Sequence, residues 1–315
     1  MPNHVQACIT LPGKTAIHAS FEAVQQHTLR WAHKFSLAPQ FKPLGWYAKA
    51  QFGLQAAREY PDADYTQICL AGDLLTWLFT VDDACDRGSA DETGAGKMKM
   101  LIYEFISILK GNRSIQSNDL SISLTDILIR MEEISTPFLF KAFCQHVIDY
   151  LEECFFELDI QLHEYNPSIA KYFEMRPYTG FYIMFPLVAI FQKLDIPDEV
   201  YQHESIKEIE LILNLLGCLS NDLHSVEREE KLETTGFNLI FIAEKELHLG
   251  HDEGIEYVID YHSSYQDKLR DCRKNLPFWG KEINDQLHHY IHGLYTIVKG
   301  YDDWAVIDTA RYKSA

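Results

Sequence analysis

Apolar residues recur at steps of three and four along almost the whole chain. This spacing is typical of amphipathic α-helices, whereas the alternation that marks strands is nearly absent. Most of the prolines lie between the periodic segments, where a missing N–H costs least. The pattern therefore predicts an all-α protein of about ten helices. The periodic segments span residues 21–35, 46–58, 65–86, 97–109, 120–133, 138–163, 178–194, 206–230, 239–247, 255–272 and 279–298.

The chain shows no internal boundary. Neither a repeat of about 20–50 residues nor a linker rich in Gly, Ser or Pro divides it. We therefore expect one helical domain over residues 19–315, preceded by a flexible N-terminal arm over residues 1–18. The longest apolar run, residues 181–191, is shorter than the ~20 residues that span a bilayer, so no membrane span is expected. The N-terminus lacks the basic start and long apolar core of a secretory signal, which favours a cytoplasmic protein.

Charge and cysteine content argue against several classes of function. The chain carries 46 acidic and 28 basic side chains, a formal net charge of −18. This charge repels a nucleic-acid backbone, so no nucleic-acid partner is expected. The seven cysteines are scattered without a C-x-x-C pair, a pattern that indicates neither a disulfide framework nor a thiolate zinc site.

Three aspartates lie at the C-terminal end of the strongly apolar segment 65–86. Asp82 and Asp86 are four residues apart and share one face of the predicted helix, with Asp83 beside them. Carboxylates crowded at the negative end of a helix dipole repel one another unless a cation compensates. Hard divalent ions bind such oxygens; the alternative is an ordinary solvated acidic helix end.

A second polar motif, N-D-L-H-S-V-E-R-E, follows an apolar run in segment 206–230. Its Asn221, Ser225 and Glu229 recur every four residues and therefore share one face of the helix. Asn and Ser compete with the hydrogen bonds of a helical backbone, so helix packing gives no reason for them to recur there. A carboxamide, a hydroxyl and a carboxylate in one column suit Mg²⁺, which also takes oxygen ligands from a substrate phosphate.

Two prolines, Pro177 and Pro186, lie inside a segment that is otherwise helical and very apolar. They predict a break or kink near residues 176–180. The sequence leaves open whether this break has a function or is a tolerated packing kink.

The two motifs are 139 residues apart on separate helices, and they resemble those of class I terpene synthases of microbial type. The resemblance covers nearly the whole chain. It implies a single-domain helical bundle around a central active-site cavity, with the two motifs facing each other at the mouth. It also implies three Mg²⁺ ions, with Mn²⁺ as a substitute, that bind a prenyl diphosphate. The implied reaction is ionisation of farnesyl or geranylgeranyl diphosphate and cyclisation of the carbocation to a sesquiterpene or diterpene, with release of diphosphate.

The resemblance gives roles to single residues by position. Arg176 resembles a diphosphate-sensing arginine that precedes a helix break, with Thr179 and Gly180 in the linker and effector positions. Aspartate is common at the linker position, so Thr179 leaves open how Arg176 is held. The implied metal ligands are Asp82 as the main aspartate, Asp83 and Asp86 in support, and Asn221, Ser225 and Glu229 around another ion. The implied contacts to diphosphate are Arg176, Arg228, Arg311 and Tyr312.

Apolar side chains one or two turns before each motif are expected to line the cavity that holds the carbocation. Steps of three to four residues back from Asp82 give Phe79 and then Leu75, so the ring of Phe79 lies beneath the metals and stabilises positive charge. The same step back from Asn221 gives Gly217, which is expected to add depth. Ordinary core packing is the alternative for each wall residue. Further candidates for the wall are Phe181, Met184, Phe185 and, from the resemblance, Trp304.

Two other functions stay open at this point. A chain-elongating prenyltransferase is expected to show a second D-D-x-x-D motif where this chain has residues 221–229. A non-catalytic helical protein that binds divalent cations or a partner helix is expected to hold its motif carboxylates on solvent faces. The enzyme requires both motifs at one cavity mouth, with Arg176 and Arg311 pointing in. The sequence leaves open the substrate chain length, the product, the choice between deprotonation and water capture, and whether the protein forms a homodimer.

Overall fold

The computed structural model describes residues 11–88, 92–114, 118–163, 165–232 and 237–312, and every regular element within these ranges is helical. The all-α prediction is confirmed. A 3₁₀ turn covers Arg176–Thr179, and a π-helical turn covers Trp304–Asp308. The α-helices are α1 (Phe21–Lys34), α2 (Leu37–Gln40), α3 (Leu44–Ala50), α4 (Phe52–Glu59), α5 (Tyr65–Gly88), α6 (Glu92–Leu109), α7 (Asp119–Ile134), α8 (Pro137–His163), α9 (Ile169–Met175), α10 (Phe185–Gln192), α11 (Asp198–Tyr201), α12 (Glu204–Leu232), α13 (Leu239–Leu247), α14 (His251–Lys274) and α15 (Lys281–Asp303).

Helices α5 and α12 carry the two motifs, and the rest of the fold packs around them. α5 lies against α1, α4, α6 and α7, while α12 lies against α14 and α15. Trp77 of α5 is fully buried, and its Nε1 donates to the backbone oxygen of Leu120 at 3.0 Å. Burial of such an aromatic side chain contributes about 3 kcal/mol. The motifs therefore lie on helices that are fixed by the core.

Helix boundaries differ from the sequence pattern at several places. Segment 46–58 is divided into α3 and α4 because Gln51 adopts a left-handed φ of 59°, which a continuous helix does not allow. Helix α9 lies where no helix was predicted, and Ser168 caps it by accepting from the backbone N–H of Lys171 at 3.1 Å. Segment 178–194 is α-helical only from Phe185 onward.

The start of the described chain is packed against the helical body. Leu11 is buried, and the hydroxyl of Tyr295 donates to the carbonyl of Pro12 at 2.6 Å. The N–H of His18 donates to the carbonyl of Ala57 at 2.9 Å. These contacts attach Leu11, Pro12 and His18 to the helical body, whereas residues 13–16 are exposed; the flexible arm over residues 1–18 stays a prediction. Residues 1–10 lie outside the described residues.

None of the described helices combines the length and apolar character needed to cross a membrane. The cysteines within the described ranges, six of the seven in the chain, are free thiols. Within these ranges the fold is therefore held by packing, hydrogen bonds and ion pairs.

His262 of α14 is fully buried, and this burial makes its contribution to stability depend on pH. Burial lowers the pKa of His262 to about 4, below the ~6.5 of an unfolded chain. The folded state therefore binds fewer protons than the unfolded state between these values, and stability is lost as the pH falls through this window. We expect the difference in free energy of unfolding between wild type and His262→Gln to change by about 1.4 kcal/mol per pH unit. Urea unfolding measured across this window tests the expectation, and a difference independent of pH would contradict it.

Candidate active site

Helices α5 and α12 and the broken segment after α9 meet around one cavity of about 220 Å³. Asp82 of α5 faces Asn221, Ser225 and Glu229 of α12 across it. The side chain of Asp82 is 42% exposed, which places the motifs at the open mouth. Asp86 lies on the same helix, but its side chain is outside the described part of the structure. The other predicted site residues that line the cavity are Phe79, Arg176, Thr179, Gly180, Arg228, Arg311 and Tyr312.

Asp83 is the centre of a cluster of cations. Its Oδ2 lies 2.6 Å from Nζ of Lys42, and its Oδ1 lies 3.0 Å from Arg311 and 3.4 Å from Arg228. Burial alone would raise the pKa of Asp83, but Arg311, Lys42 and Arg228 together hold it below its ordinary value. Both oxygens of Asp83 face these cations, so the structure gives it ion-pair partners where a supporting metal ligand was predicted. The exposed carboxylate of Asp82 is the better placed of the two for a metal.

Arg311 presents unused hydrogen-bond donors at the cavity. Its guanidinium lies 4.9 Å from the centre of the Phe79 ring, and its side chain is only 4% exposed. Nη2 donates to Asp83, whereas Nε and Nη1 are buried without a partner among the described residues. Tyr312 follows it and accepts from Nδ2 of Asn221 at 3.3 Å. Because unpartnered buried donors are costly, this arrangement is suited to an anionic ligand.

Asp222, the neighbour of Asn221 in the second motif, holds Arg176. Nε and Nη2 of Arg176 donate to Oδ1 of Asp222 at 3.3 and 3.1 Å, and Nη2 also donates to Oδ1 of Asn221 at 2.8 Å. Oδ2 of Asp222 accepts from the hydroxyl of Tyr172 at 2.7 Å and from the N–H of Leu239 at 2.9 Å. The carboxylate is therefore fixed from two sides, and it fixes the guanidinium in turn.

This ion pair answers the question that Thr179 left open. Thr179 contributes only its hydroxyl and carbonyl, which accept from Nη1 of Arg176 at 3.1 and 3.3 Å. The charge partner is Asp222, which comes from another helix. Sequence reasoning missed Asp222, although a carboxylate within an apolar helix is itself a signal, because a buried charge needs a partner.

The break after α9 is attached to α12 through Asn214. The Nδ2 of Asn214 donates to the carbonyl of Pro177 at 2.7 Å, and its Oδ1 accepts from the N–H of Phe181 at 2.6 Å. A Cβ on Gly180 would lie 2.3 Å from Oδ1 of Asn214, so only glycine fits this approach. The break is therefore a fixed part of the cavity wall and is more than a tolerated kink.

Asn221, Ser225 and Glu229 form the predicted column of oxygens on α12. Burial raises the pKa of Glu229 to about 7, although hydrogen bonds with Ser225 and Asn238 oppose the shift. No cluster of three or more His, Cys, Asp or Glu side chains in the described ranges has the geometry of a metal site. The column has one carboxylate, that of Glu229, and its other two oxygen ligands would be the amide of Asn221 and the hydroxyl of Ser225. These hard oxygens fit Mg²⁺, and a divalent cation would stabilise the buried carboxylate.

A family model described as terpene synthase family 2, C-terminal metal binding, matches residues 73–268. The match covers more than half of the chain and includes both motifs. The chain belongs to this family.

Relatives of known activity support this assignment. This terpene synthase is 28% identical to (+)-T-muurolol synthase ((2E,6E)-farnesyl diphosphate cyclizing) of Roseiflexus castenholzii, over 99% of this chain and 95% of the relative. It is 25% identical to germacrene A synthase of Nostoc punctiforme, over 92% and 90%. The structure of linalool/nerolidol synthase from Streptomyces clavuligerus in complex with 2-fluorogeranyl diphosphate superposes with a TM-score of 0.83, at 20% identity over 96% and 98% of the two chains. This likeness confirms the fold.

The apolar wall of the terpene synthase differs in part from expectation. Trp304 lies behind the wall, because its ring packs 6.0 Å from Phe79 and its Nε1 donates to the carbonyl of Ala50 at 2.9 Å. Trp304 therefore packs behind Phe79 and supports the ring of that wall residue. Phe185 is buried within α10. The predicted wall residues that line the cavity are Leu75, Phe79, Phe181 and Met184, and Leu78 lines it as well.

The depth expected at Gly217 is occupied by an aromatic ring. A Cβ on Gly217 would lie 2.4 Å from the ring of Phe181, so the glycine allows this ring to pack directly on α12. The same ring lies edge to face with Tyr301 at 5.2 Å. Gly217 therefore shapes the wall by positioning Phe181.

We expect Phe79→Ala to change the product mixture of the terpene synthase more than its KM for substrate. Phe79 lines the cavity and stacks on Phe52 at 4.6 Å, so its ring face is held in one orientation. Removing the ring takes away cation–π stabilisation of about 0.5–2 kcal/mol and leaves room for other conformations of the carbocation. Gas chromatography of the products tests this, with Phe35→Ala, a half-buried aromatic outside the cavity lining, as the control. Unchanged products would assign Phe79 to packing.

Proposed function

We propose that this terpene synthase ionises farnesyl diphosphate with Mg²⁺ and cyclises the resulting carbocation to a sesquiterpene. The observation that carries the proposal is the convergence of two oxygen-rich motifs and two buried arginines, Arg176 and Arg311, on one cavity mouth. A non-catalytic cation-binding protein has no reason to place these groups around an apolar cavity.

Asp82 of α5 and the column Asn221, Ser225 and Glu229 of α12 are the residues proposed to hold the metal. When bound, Mg²⁺ supplies Lewis-acid stabilisation of the departing diphosphate. Three ions are proposed, with Mn²⁺ as a substitute. The chain has a net charge of −18, so cations between its carboxylates and the substrate are needed for an anionic diphosphate to bind.

The arginines complete the diphosphate site. Arg176 is held by Asp222 and Thr179 at the cavity, and its guanidinium suits bidentate hydrogen bonds to phosphate oxygens. Arg311 offers Nε and Nη1, which have no partner within the described ranges. We propose that both donate to the diphosphate as negative charge develops on it, with Arg228 and Tyr312 beside them.

Behind the diphosphate site, apolar side chains exclude bulk water from the carbocation. Phe79 and Phe181 present rings to the cavity, and Leu75 and Met184 fill the wall between them. Aromatic faces stabilise a cation, while aliphatic side chains neither donate nor accept a proton. The cavity thus favours ring closure within the isoprenoid chain.

One relative supports the C15 substrate over the C20 substrate. The relative from Roseiflexus castenholzii is described as cyclising (2E,6E)-farnesyl diphosphate.

The test is to incubate the purified protein with C10, C15 and C20 prenyl diphosphates, each with Mg²⁺ or with EDTA. We expect diphosphate release and a cyclic C15 product with Mg²⁺ and farnesyl diphosphate, and none with EDTA. Diphosphate release that persists in EDTA would overturn the metal dependence. A preference for the C10 or C20 diphosphate would overturn the choice of farnesyl diphosphate.

Isopentenyl diphosphate, added in a parallel incubation, tests the alternative of chain elongation. The second aspartate-rich motif of a prenyltransferase is replaced here by residues 221–229, so we expect no longer prenyl diphosphate. Its appearance would favour the prenyltransferase. The cytoplasmic location and the homodimer stay predictions.

A further inference from the structure

Two polar side chains, Gln55 and Glu59, lie one turn apart on α4 and line the apolar cavity. Each is only 2% exposed, in contrast to the half-exposed Asp82 at the mouth. They therefore belong to the closed interior of the cavity. Nothing in the diphosphate chemistry proposed above uses them.

The two side chains satisfy only part of each other's hydrogen-bonding capacity. Nε2 of Gln55 donates to Oε1 of Glu59 at 2.7 Å. Oε1 of Gln55 and Oε2 of Glu59 are buried with no partner among the described residues. The adjacent cation, Arg58, pairs with Asp308 at 3.0 Å. Unpartnered buried polar atoms are costly, so these two oxygens form a polar site suited to a small ligand that donates hydrogen bonds.

The hydrocarbon part of a prenyl diphosphate does not supply that ligand, because its C–H groups form no comparable hydrogen bond. A water molecule does, since it donates two hydrogen bonds and is held in protein interiors by two to four polar partners. Apolar side chains such as Leu75, Phe181 and Met184 line the same cavity, so a water held by Gln55 and Glu59 is a nucleophile within reach of a carbocation there.

We propose that Gln55 and Glu59 bind one water molecule that captures the final carbocation, so that the enzyme forms a cyclic terpene alcohol. The water oxygen donates a lone pair to the cationic carbon and a C–O bond forms. One O–H bond of the water breaks, and its proton passes to Oε2 of the Glu59 carboxylate. A carboxylate, a carbocation and a water become a carboxylic acid and a neutral alcohol, and Glu59 returns the proton to solvent after product release. The inference rests on the proposed function.

The surroundings of Glu59 suit a proton acceptor. Burial raises the pKa of Glu59 to about 8, although the hydrogen bond from Gln55 opposes the shift. Above about pH 8, where Glu59 is mainly ionised, its carboxylate is therefore a stronger base than one exposed to solvent. The hydrogen bond from Gln55 fixes Oε1 and leaves Oε2 for the water.

The experiment measures products and diphosphate release from farnesyl diphosphate and Mg²⁺ in ¹⁸O-enriched water. We expect the wild type to form an alcohol that carries the solvent label. Glu59→Gln keeps the shape of the side chain but removes the base, so the alcohol-to-hydrocarbon ratio is expected to fall by about tenfold or more. Diphosphate release is expected to change little, because ionisation occurs at the mouth. Gln55→Leu removes the second oxygen and is expected to lower the same ratio.

Glu210→Gln is the matched control, since Glu210 is also a buried carboxyl but pairs with Lys207 and Tyr290 outside the cavity lining. It is expected to keep the wild-type ratio. Diphosphate release without labelled alcohol in the wild type, or an unchanged ratio in both Glu59→Gln and Gln55→Leu, would overturn this inference alone. An absence of diphosphate release from every prenyl diphosphate would overturn the proposed function, and this inference with it.

Discussion

Glu229→Gln is expected to lower the rate of diphosphate release by roughly 10²–10³-fold, the cost of removing one group that stabilises developing charge. Glu229 is the only carboxylate in the column on α12, and it lines the cavity with Asn221 and Ser225. An amide keeps the size of the side chain but removes the charge that a hard divalent ion requires. The rate is measured as released diphosphate at saturating Mg²⁺ and substrate.

The next residue offers a matched control. Glu230 follows Glu229 on the same helix, but its side chain is 44% exposed and lies 3.5 Å from His251 at the surface. Glu230→Gln makes the same chemical change one position away and is expected to keep the wild-type rate. Equal rates for both variants would contradict the assignment of the column to the metal.

Asp222→Asn is expected to impair both stability and catalysis, because it leaves the guanidinium of Arg176 buried without its charge partner. Breaking a buried ion pair by removing one member costs about 3–5 kcal/mol. An amide at this position also disturbs the acceptor for Tyr172 and Leu239. Since Arg176 then loses its orientation toward the diphosphate, we expect diphosphate release to fall by about 10²-fold.

Urea unfolding and diphosphate release, measured at a temperature where the variant is folded, separate the two effects. Asp303→Asn is the comparison, because Asp303 is buried and pairs with Lys299 at 2.6 Å on α15, outside the cavity lining. It is expected to lose stability and keep turnover. If Asp222→Asn lost stability and kept turnover in the same way, its role would be structural only.

Most helices were predictable because each buries one stripe of apolar residues, and that stripe has the helical period. α13 matches segment 239–247 at both ends. The division at Gln51 was not predictable, since glutamine has no preference for a left-handed φ and only the packing of α3 and α4 imposes it. Helix α9 was missed because its seven residues are too few to show a period.

The column on α12 was predictable for the same reason as the helices. Residues four apart lie on one face, so Asn221, Ser225 and Glu229 needed no knowledge of the fold. Asp222 lies on another side of the helix, and its partner Arg176 is 46 residues away. Helical spacing within one segment therefore does not predict that Asp222 and Arg176 meet. The position of Trp304 behind Phe79 likewise depends on how α5 and the C-terminal π-helical turn approach each other.

Local sequence determined which segments are helical and which oxygen-bearing side chains share a helix face, because both follow from the geometry of a single helix. Only the tertiary structure decided which charges pair, which wall positions are filled, and which polar atoms are left unpartnered inside the cavity. Asp83 with its cations and Gly217 beneath Phe181 depend on contacts between segments distant in sequence. Gln55 and Glu59 lie one turn apart on α4, and only their burial depends on the rest of the fold. Their energies come from burial, which no single helix produces alone.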